Sequence, residues 1–203
     1  MNPASAIEGR YGIVILAAGS STRLGQPKQL LIFEGSSLIK RVAEIALDVS
    51  DKVVVVTGHQ QKKVQAELLG LPLIIVQNDS FEEGIASSIR KGLSTLIENF
   101  KGLKGVIFLV CDQPYLSQNV LTELIKSADE TGKKIISSAY GDTTGIPVLF
   151  DKSFFGKLLA LKGDIGAKKL IQENLADAAT IDFPGGSIDI DTMQDFESVI
   201  GNR

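Results

Sequence analysis

The sequence has one cysteine, one histidine and no long apolar run, and each shortage excludes a class of protein. A single cysteine, Cys111, rules out an intrachain disulfide and a cysteine-based zinc cluster. His59 is also alone, so we do not expect a metal centre built on histidine. No stretch approaches the length of a membrane span, and residues 1–12 lack the apolar core of a signal peptide. We therefore expect no membrane partner and a location in the cytoplasm.

The sequence also lacks an excess of basic residues, since its net charge is −3 and its pI is near 5.3. A non-specific polyanion binder has basic residues clustered on one face or tail, so we expect no nucleic-acid partner. No internal repeat or low-complexity segment is present. The 203 residues, of which 44% are hydrophobic, suffice to bury a substantial core. We predict a single domain over residues 1–203.

Apolar runs of strand length recur along the chain, and amphipathic segments separate most of them. This alternation is typical of an α/β fold with a mainly parallel sheet. Leu38, Val42 and Ile45 are spaced as on one helix face, and Ile85 and Ile89 begin a second such series. We expect both helices to cover the sheet. The five predicted strands are residues 13–16, 53–56, 73–76, 106–110 and 135–138.

The second half of the sequence is less regular. A third helix is predicted to follow Ser117 as N-cap and to end near Gly132, and Thr192 is predicted to cap a terminal helix, with Asp195 three residues later. The remaining predictions are strands at 147–150 and 188–190 and short helices at 154–161 and 165–175.

The stretch LAAGSSTRLGQPKQLL, residues 16–31, leads from an apolar strand into a small, basic loop. A glycine and small side chains allow backbone N–H groups to approach an anion closely. Arg23 and Lys28 add full positive charges, which suit a triphosphate. The Walker A pattern does not fit, because five residues separate Gly19 from Gly25 and Gln26 follows. The dinucleotide fingerprint fails too, because Ser21 stands at its second glycine position.

A carboxylate, Asp112, directly follows the apolar run 106–110 and Cys111, which we expect to be a buried and inert thiol. Ligands of parallel sheets lie beyond the carboxyl ends of the strands, where this carboxylate is expected. Mg²⁺ prefers oxygen ligands and keeps waters and substrate phosphates, so one or two protein carboxylates suffice. Asp191 or the nearby Asp189 is the natural second source. The alternative is that Asp112 caps a turn and the later pair are surface acids.

The loop resembles the signature LAAGxSxRMGxxKxLL of the MobA-like nucleotidyltransferases, and is most similar to the molybdenum cofactor cytidylyltransferase branch. Leu24 replaces the usual methionine, and Ala18 stands where the guanylyltransferase branch usually has glycine. Four later segments, CDQP, GIPVLF, LKGDIGAKKLI and DIDTMQD, resemble family segments in family order. The resemblance implies a Rossmann-like three-layer sandwich of the nucleotide-diphospho-sugar transferase type, with a mainly parallel sheet.

The resemblance also implies a reaction, in which an acceptor phosphate attacks the α-phosphorus of CTP and pyrophosphate leaves. It assigns catalysis to Arg23, Lys28 and Asp112, and the Mg²⁺ site to Asp112 and Asp191. The residues expected to bind the nucleotide are Leu16, Ala17, Ala18, Gly19, Ser20, Ser21, Arg23, Lys28, Thr57, Asn78, Gly84 and Ser88. Those expected near the acceptor are Gly145, Pro147, Gly163 and Asp164.

The acceptor implied by the resemblance is molybdopterin, which would become a cytosine dinucleotide cofactor for a recipient molybdoenzyme or its chaperone. Three alternatives stay open. A sugar phosphate or alditol phosphate could be the acceptor, or guanylyl transfer could replace cytidylyl transfer. The third alternative is a carrier that binds a nucleotide or the molybdenum cofactor without chemistry.

Overall fold

The computed structural model describes residues 10–19, 24–58 and 60–201, and a seven-stranded sheet forms its centre. The strand order is β5-β4-β1-β6-β8-β7-β9, and a separate hairpin pairs β2 with β3. The strands are β1 Tyr11–Ala17, β2 Ile32–Phe33, β3 Ser36–Ser37, β4 Val53–Thr57, β5 Ile74–Gln77, β6 Gly105–Val110, β7 Ile135–Tyr140, β8 Thr143–Asp151 and β9 Ala178–Asp182.

Strand direction divides the sheet into two parts. β5, β4, β1 and β6 are mutually parallel, as expected for apolar strands buried on both faces. β8 runs antiparallel to both of its neighbours, β6 and β7, whereas β9 is parallel to β7. The carboxyl ends of β1, β4, β5 and β6 therefore meet at one edge of the sheet.

Helices cover both faces of the sheet, because successive strand residues point in opposite directions. The helices are α1 Leu38–Leu47, α2 Gln61–Glu67, α3 Ile85–Asn99, α4 Gln118–Thr131, α5 Phe155–Leu159, α6 Ala167–Glu173 and α7 Met193–Gly201. Ile13 and Ile15 of β1 pack with α1 and α4, whereas Val14 and Leu16 pack with α3 and α5. The predicted three-layer α/β sandwich is thus confirmed.

The C-terminal helix α7 packs away from the sheet, on the β2–β3 hairpin. Val199 and Ile190 join a small buried cluster with Phe33 and Leu38. Thr192 caps the helix as predicted, since its Oγ1 accepts a hydrogen bond from Asp195 N at 3.2 Å while Asp195 Oδ2 accepts one from Thr192 N at 2.8 Å. This cap fixes the segment that immediately follows Asp191.

The five strands predicted in the first two thirds of the chain are confirmed, as are the helices at 38–47, 85–99 and 118–131. The predicted strand at 188–190 is wrong. Ile190 is fully buried, but only through the small α7 cluster, and Ile188 is exposed. β9, α2 and the β2–β3 hairpin were not predicted. No helix within the described ranges is long and apolar enough to cross a membrane.

Candidate active site

The loop after β1 is held by a side chain that no sequence motif singled out. Gln29, which is 2% exposed, donates hydrogen bonds from Nε2 to Ala17 O at 3.0 Å and to Gly19 O at 2.9 Å. These bonds satisfy two carbonyls at the point where the chain leaves the sheet. The predicted residues Ser20, Ser21 and Arg23 lie outside the described ranges, as does His59.

Three predicted site residues meet at the carboxyl edge of the sheet. Lys28 Nζ lies 2.6 Å from Asp112 Oδ2 and 2.9 Å from Asp191 Oδ1. The Lys28 side chain is 17% exposed, that of Asp112 is 19% exposed and that of Asp191 is 41% exposed. The ammonium therefore bridges the two carboxylates that were assigned to a metal ion from the sequence.

The position of Asp112 follows from two backbone connections. It comes directly after β6 and Cys111, and its carbonyl accepts a hydrogen bond from Ile190 N at 3.0 Å. This bond brings the segment with Asp191 beside the end of β6. The neighbouring Gln113 donates from Nε2 to Ile146 O at 3.0 Å and to Gly186 O at 3.2 Å, which ties two further segments to the same strand end.

The charged side chains of this cluster differ in how well each is paired. Burial of the Lys28 ammonium opposes protonation, but the Asp112 charge and the hydrogen bonds that the ammonium donates to both carboxylates outweigh it and raise the Lys28 pKa. Desolvation and the charges of Asp112 and Asp191 raise the pKa of Asp189 to about 6. Asp112 Oδ1 is buried and has no hydrogen-bond partner within the described residues. Cys111 is buried, as predicted, and this burial raises the pKa of its thiol to about 12, so the thiol is protonated at neutral pH.

A first cavity of about 720 Å³ opens at this edge. Lys28 and Asp112 line it in contact with each other, and Ser88 and Gly84 also line it. Such a volume lies within the range of small-molecule sites. The described residues that line it are Leu16, Ala18, Gly19, Lys28, Gln29, Phe81, Glu82, Gly84, Ile85, Ser88, Val110, Cys111, Asp112 and Asp164.

Close backbone contacts shape the first cavity. A Cβ on Gly58 would lie 2.7 Å from Ala18 O, and a Cβ on Gly84 would lie 2.6 Å from Gly163 O. Gly84 also has a φ of +104°, a conformation that other residues rarely adopt. Only glycine therefore permits these approaches without displacing backbone.

Two of the residues predicted to bind the nucleotide, Asn78 and Thr57, lie behind the first cavity and do not line it. Asn78 Nδ2 donates to Ser87 Oγ at 2.8 Å and to Ser88 Oγ at 3.0 Å, so it positions Ser88, which does line the cavity. Thr57 is fully buried and donates from Oγ1 to Val76 O at 3.3 Å. Thr57 does not line the first cavity.

A second cavity of about 350 Å³ adjoins the first and shares Ile85, Val110 and Asp112 with it. Several polar side chains line the rest of it, and Lys168 Nζ donates to Thr143 Oγ1 there at 3.1 Å. The described residues that line it are Ile85, Val110, Asp112, Gln113, Tyr140, Thr143, Thr144, Gly145, Ile146, Gly166, Ala167, Lys168 and Asp189.

The four residues predicted near the acceptor do not all share one cavity. Gly145 lines the second cavity, but Asp164 lines the first. Gly163 contacts the backbone around Gly84 and lines neither, and the Pro147 carbonyl accepts a bond from Ser138 Oγ at 2.8 Å.

Among the polar residues of the site that were not predicted from the sequence are Gln29, Gln113 and Lys168. The two glutamines are neutral amides, which carry no charge to mark them as functional. Lys168 is charged, but lysines are common on protein surfaces and a single one gives no specific signal.

The carboxylates that could bind a divalent cation are Asp112 and Asp191. No group of three or more His, Cys, Asp or Glu residues with suitable geometry occurs in the described part of the chain. Two carboxylates nevertheless match the needs of Mg²⁺, which retains waters and substrate phosphates as its other ligands. The unpartnered Asp112 Oδ1 fits such a role, because a buried carboxylate oxygen without a partner is costly.

Comparison with known proteins points to one family. Residues 13–179 match the sequence profile of the family described as MobA-like NTP transferase domain. The purine catabolism protein PucB of Bacillus subtilis is 30% identical, and the match covers 92% of this chain and 94% of PucB. A probable molybdenum cofactor guanylyltransferase of Bacillus cytotoxicus is 25% identical, over 63% of this chain and 62% of the relative.

Solved structures agree with the sequence matches. The crystal structure of Rv0371c from Mycobacterium tuberculosis superposes with a TM-score of 0.82 at 26% identity, covering 95% of this chain and 98% of that one. A complex of Rv0371c with manganese gives a TM-score of 0.74 at 25% identity, covering 96% and 100%. A CMP:2-keto-3-deoxy-manno-octonic acid synthetase complexed with CTP, at 16% identity, shares the fold with a TM-score of 0.72, covering 96% of this chain and 98% of that one, which confirms the predicted fold type.

Proposed function

The chain belongs to the MobA-like NTP transferase family, and from this premise we propose that it transfers the cytidylyl group of CTP to a molybdopterin-type phosphate acceptor. The coarser activity, nucleotidyl transfer, is that of the family. The products would be the cytosine dinucleotide form of the acceptor and pyrophosphate. The observation that carries the proposal is the meeting of two cavities at Asp112, beside the Lys28 ammonium.

The two cavities suit a two-substrate transfer. The larger one, with the β1 loop and Lys28, would take the nucleotide, and the smaller one would take the acceptor. The α-phosphorus and the attacking oxygen would then meet beside Asp112, which both cavities share. Holding two reactants in line lowers the barrier by avoiding the entropy loss of an encounter. A phosphate monoester is itself the nucleophile, so no covalent enzyme intermediate is required.

The chain's own residues have simple roles in this scheme. Lys28 and the amides of the loop around Gly19 would bind the β- and γ-phosphates, and Arg23 has the same role by its place in the sequence motif. Such fixed positive charges stabilise the charge that develops on leaving pyrophosphate. Gln29 would keep the loop in shape through its bonds to Ala17 O and Gly19 O.

We assign Asp112 and Asp191 to a divalent cation, with Mg²⁺ as the physiological ion. The manganese complex of Rv0371c supports the use of a divalent ion by a similar protein. When bound, the cation would neutralise phosphate oxygens of the nucleotide. The third acid, Asp189, lines the acceptor cavity, whereas Asp191 lies beside Asp112 through their common contact with Lys28, so we assign the ion to Asp191 rather than to Asp189.

One residue of the nucleotide cavity bears on the choice of base. Ala18 lines this cavity and is 5% exposed, and its methyl group lies near Gly58, at which an added Cβ would come within 3.0 Å of it. The guanylyltransferase branch usually has glycine at this place, which supports CTP as the donor. Guanylyl transfer is the second candidate, because a similar protein is named a probable molybdenum cofactor guanylyltransferase.

Pyrophosphate release tests the proposal. The protein is incubated with Mg²⁺ and each of CTP, GTP, ATP and UTP, with and without molybdenum-loaded molybdopterin. We expect release only with CTP plus the pterin, and Ala18→Gly should raise the rate with GTP relative to CTP. Release with GTP alone among the nucleotides would establish the second candidate. Tight CTP binding without turnover would instead support a carrier.

A further inference from the structure

The ammonium of Lys28 occupies the place that a cation would need. It lies within 2.9 Å of one oxygen of each of the two carboxylates assigned to the divalent ion. It is also largely enclosed, with 17% of its side chain exposed. Any cation that binds Asp112 and Asp191 together must therefore come into direct contact with this ammonium.

The charge balance makes that contact unfavourable. Of the contacts between described residues, the ammonium has one with each of two carboxylates, so these three side chains together carry a net charge near −1 and attract a cation. A divalent ion beside the ammonium would be repelled at short range, where charges interact strongly. The ammonium also satisfies the cluster incompletely, because Asp112 Oδ1 is buried with no partner in the described part of the chain. Asp112 Oδ1 can therefore accept a cation, but an ion that is also to reach Asp191 binds best when the ammonium moves away.

We propose that Lys28 is an exchangeable counter-ion: it pairs with Asp112 and Asp191 before substrate enters and yields these carboxylates to the divalent cation when nucleotide binds. The inference rests on the proposed function. Lys28 then pairs with the nucleotide phosphates, because it lines the same cavity wall as Asp112. Its flexible four-carbon stem suits such a movement. Divalent ion and nucleotide consequently bind cooperatively, and the ion alone binds weakly.

The exchange predicts an effect opposite to that of an ordinary catalytic lysine. Removing Lys28 abolishes turnover but strengthens binding of the divalent ion in the absence of nucleotide. We would measure Mn²⁺ binding by the electron paramagnetic resonance signal of the free ion, without nucleotide or acceptor. Lys28→Met should bind Mn²⁺ about tenfold more tightly than the unaltered protein, a typical magnitude for coupling between two ligands.

Two further variants make the measurement specific. Lys91→Met removes the same charge from an exposed position of α3 and should leave Mn²⁺ affinity unchanged. Lys28→Gln retains N–H donors but loses the charge, so it should show the same increase in Mn²⁺ affinity as Lys28→Met. Because its side chain is polar, it also tests whether the result for Lys28→Met comes from altered packing. Equal or weaker Mn²⁺ binding by folded Lys28→Gln would overturn the exchange.

A second readout compares the unaltered protein with Lys28→Gln in the presence of nucleotide. A CTP analogue with a methylene group between the α- and β-phosphorus atoms should raise Mn²⁺ affinity more in the unaltered protein than in the variant. Equal increases would overturn the coupling. Neither measurement uses turnover, so a wrong acceptor would leave the result intact. Conversely, the unaltered protein could release pyrophosphate in a metal-dependent reaction while Lys28→Gln binds Mn²⁺ no more tightly than the unaltered protein. This result would reject the counter-ion exchange at Lys28 but support the proposed function.

Discussion

The two cavities are built in different ways. Backbone shapes much of the first one, through the close approaches of Gly58 to Ala18 and of Gly84 to Gly163 at the ends of parallel strands and beside α3. Side chains form much of the second one, around the antiparallel strands β7 and β8, with Lys168 among them. A cavity wall formed by backbone atoms changes shape only when the fold changes, whereas a single substitution alters a wall formed by side chains. With the nucleotide in the first cavity and the acceptor in the second, as proposed, we infer that nucleotide binding depends on the fold itself, whereas the choice of acceptor can change through single substitutions.

We expect the largest loss of activity from a substitution at Asp112, because this residue lines both cavities. Asp112→Asn should reduce pyrophosphate release by about 10²–10³, by analogy with the loss of one charge-stabilising group elsewhere. Asp191→Asn should reduce it less, because the Asp191 side chain is more exposed than that of Asp112. Single-turnover rates at saturating nucleotide would measure both. An equal loss in the two variants would contradict the ranking.

The backbone wall of the first cavity can be broken at Gly84. Gly84→Ala places a Cβ against the backbone of Gly163 at a φ of +104°, and we expect a loss of about 1–3 kcal/mol in the free energy of unfolding. Chemical denaturation would measure it. Gly156→Ala is the matched control, because Gly156 lies in α5 and a Cβ there would meet open space. This substitution should raise the free energy of unfolding by about 0.5–1 kcal/mol. Similar effects at both positions would refute the backbone argument.

The side-chain wall of the second cavity should respond differently. Lys168→Ala removes an exposed ammonium from that wall and leaves the first cavity intact. We expect the KM for the acceptor to rise about tenfold, which corresponds to about 1.4 kcal/mol, with the KM for nucleotide unchanged. Initial rates with each substrate varied in turn would measure both constants. A rise in the nucleotide KM alone would show that Lys168 serves the other cavity.

The smallest expected effect lies far from both cavities. Asp129 of α4 pairs with Arg10 and Lys104 near the opposite end of the sheet. Partial burial would raise its pKa, but the hydrogen bonds of Lys104 and Arg10 outweigh this and lower it. The cluster therefore stabilises the fold above the ordinary aspartate pKa, and this stabilisation is lost as pH falls through the lowered value. Asp129→Asn should cost less than about 1 kcal/mol at neutral pH.

Denaturation at several pH values would check the sign of that effect. The difference between Asp129→Asn and the unaltered protein should shrink as the pH is lowered into the acid range, and added salt should reduce it further. Activity should not change, since Asp129 lines neither cavity. A difference that grows on acidification would contradict the assignment.

Sequence patterns predicted the parallel half of the fold well, because most of its strands are buried on both faces and read as continuous apolar runs. β9 was missed for the opposite reason, since Ala178–Asp182 is partly exposed and weakly apolar. The wrong strand at 188–190 shows how an alternating apolar pattern misleads. Ile190 is buried by α7, and its backbone N–H bonds to Asp112 O instead of entering the sheet.

The charged centre of the site could be predicted, but not its internal contacts. All three residues were selected from the sequence: Lys28 as a cation of the basic loop, Asp112 as a carboxylate after an apolar strand, and Asp191 as a possible second carboxylate. Their pairing depends on the Ile190 to Asp112 backbone bond, which no local pattern encodes. Gln29 acts through hydrogen bonds to carbonyls that only the folded chain brings within reach, so its role depends on tertiary structure.

The pairing of Lys28 with Asp191 also has a consequence for protein synthesis. The two residues are 163 positions apart in the sequence, yet their side chains touch. Domains fold while the ribosome is still extending the chain, with N-terminal parts first. A growing chain that ends before Asp191 therefore contains the phosphate loop but not the second carboxylate. The site is completed only after Asp191 has been translated, so a chain terminated before that point cannot assemble it.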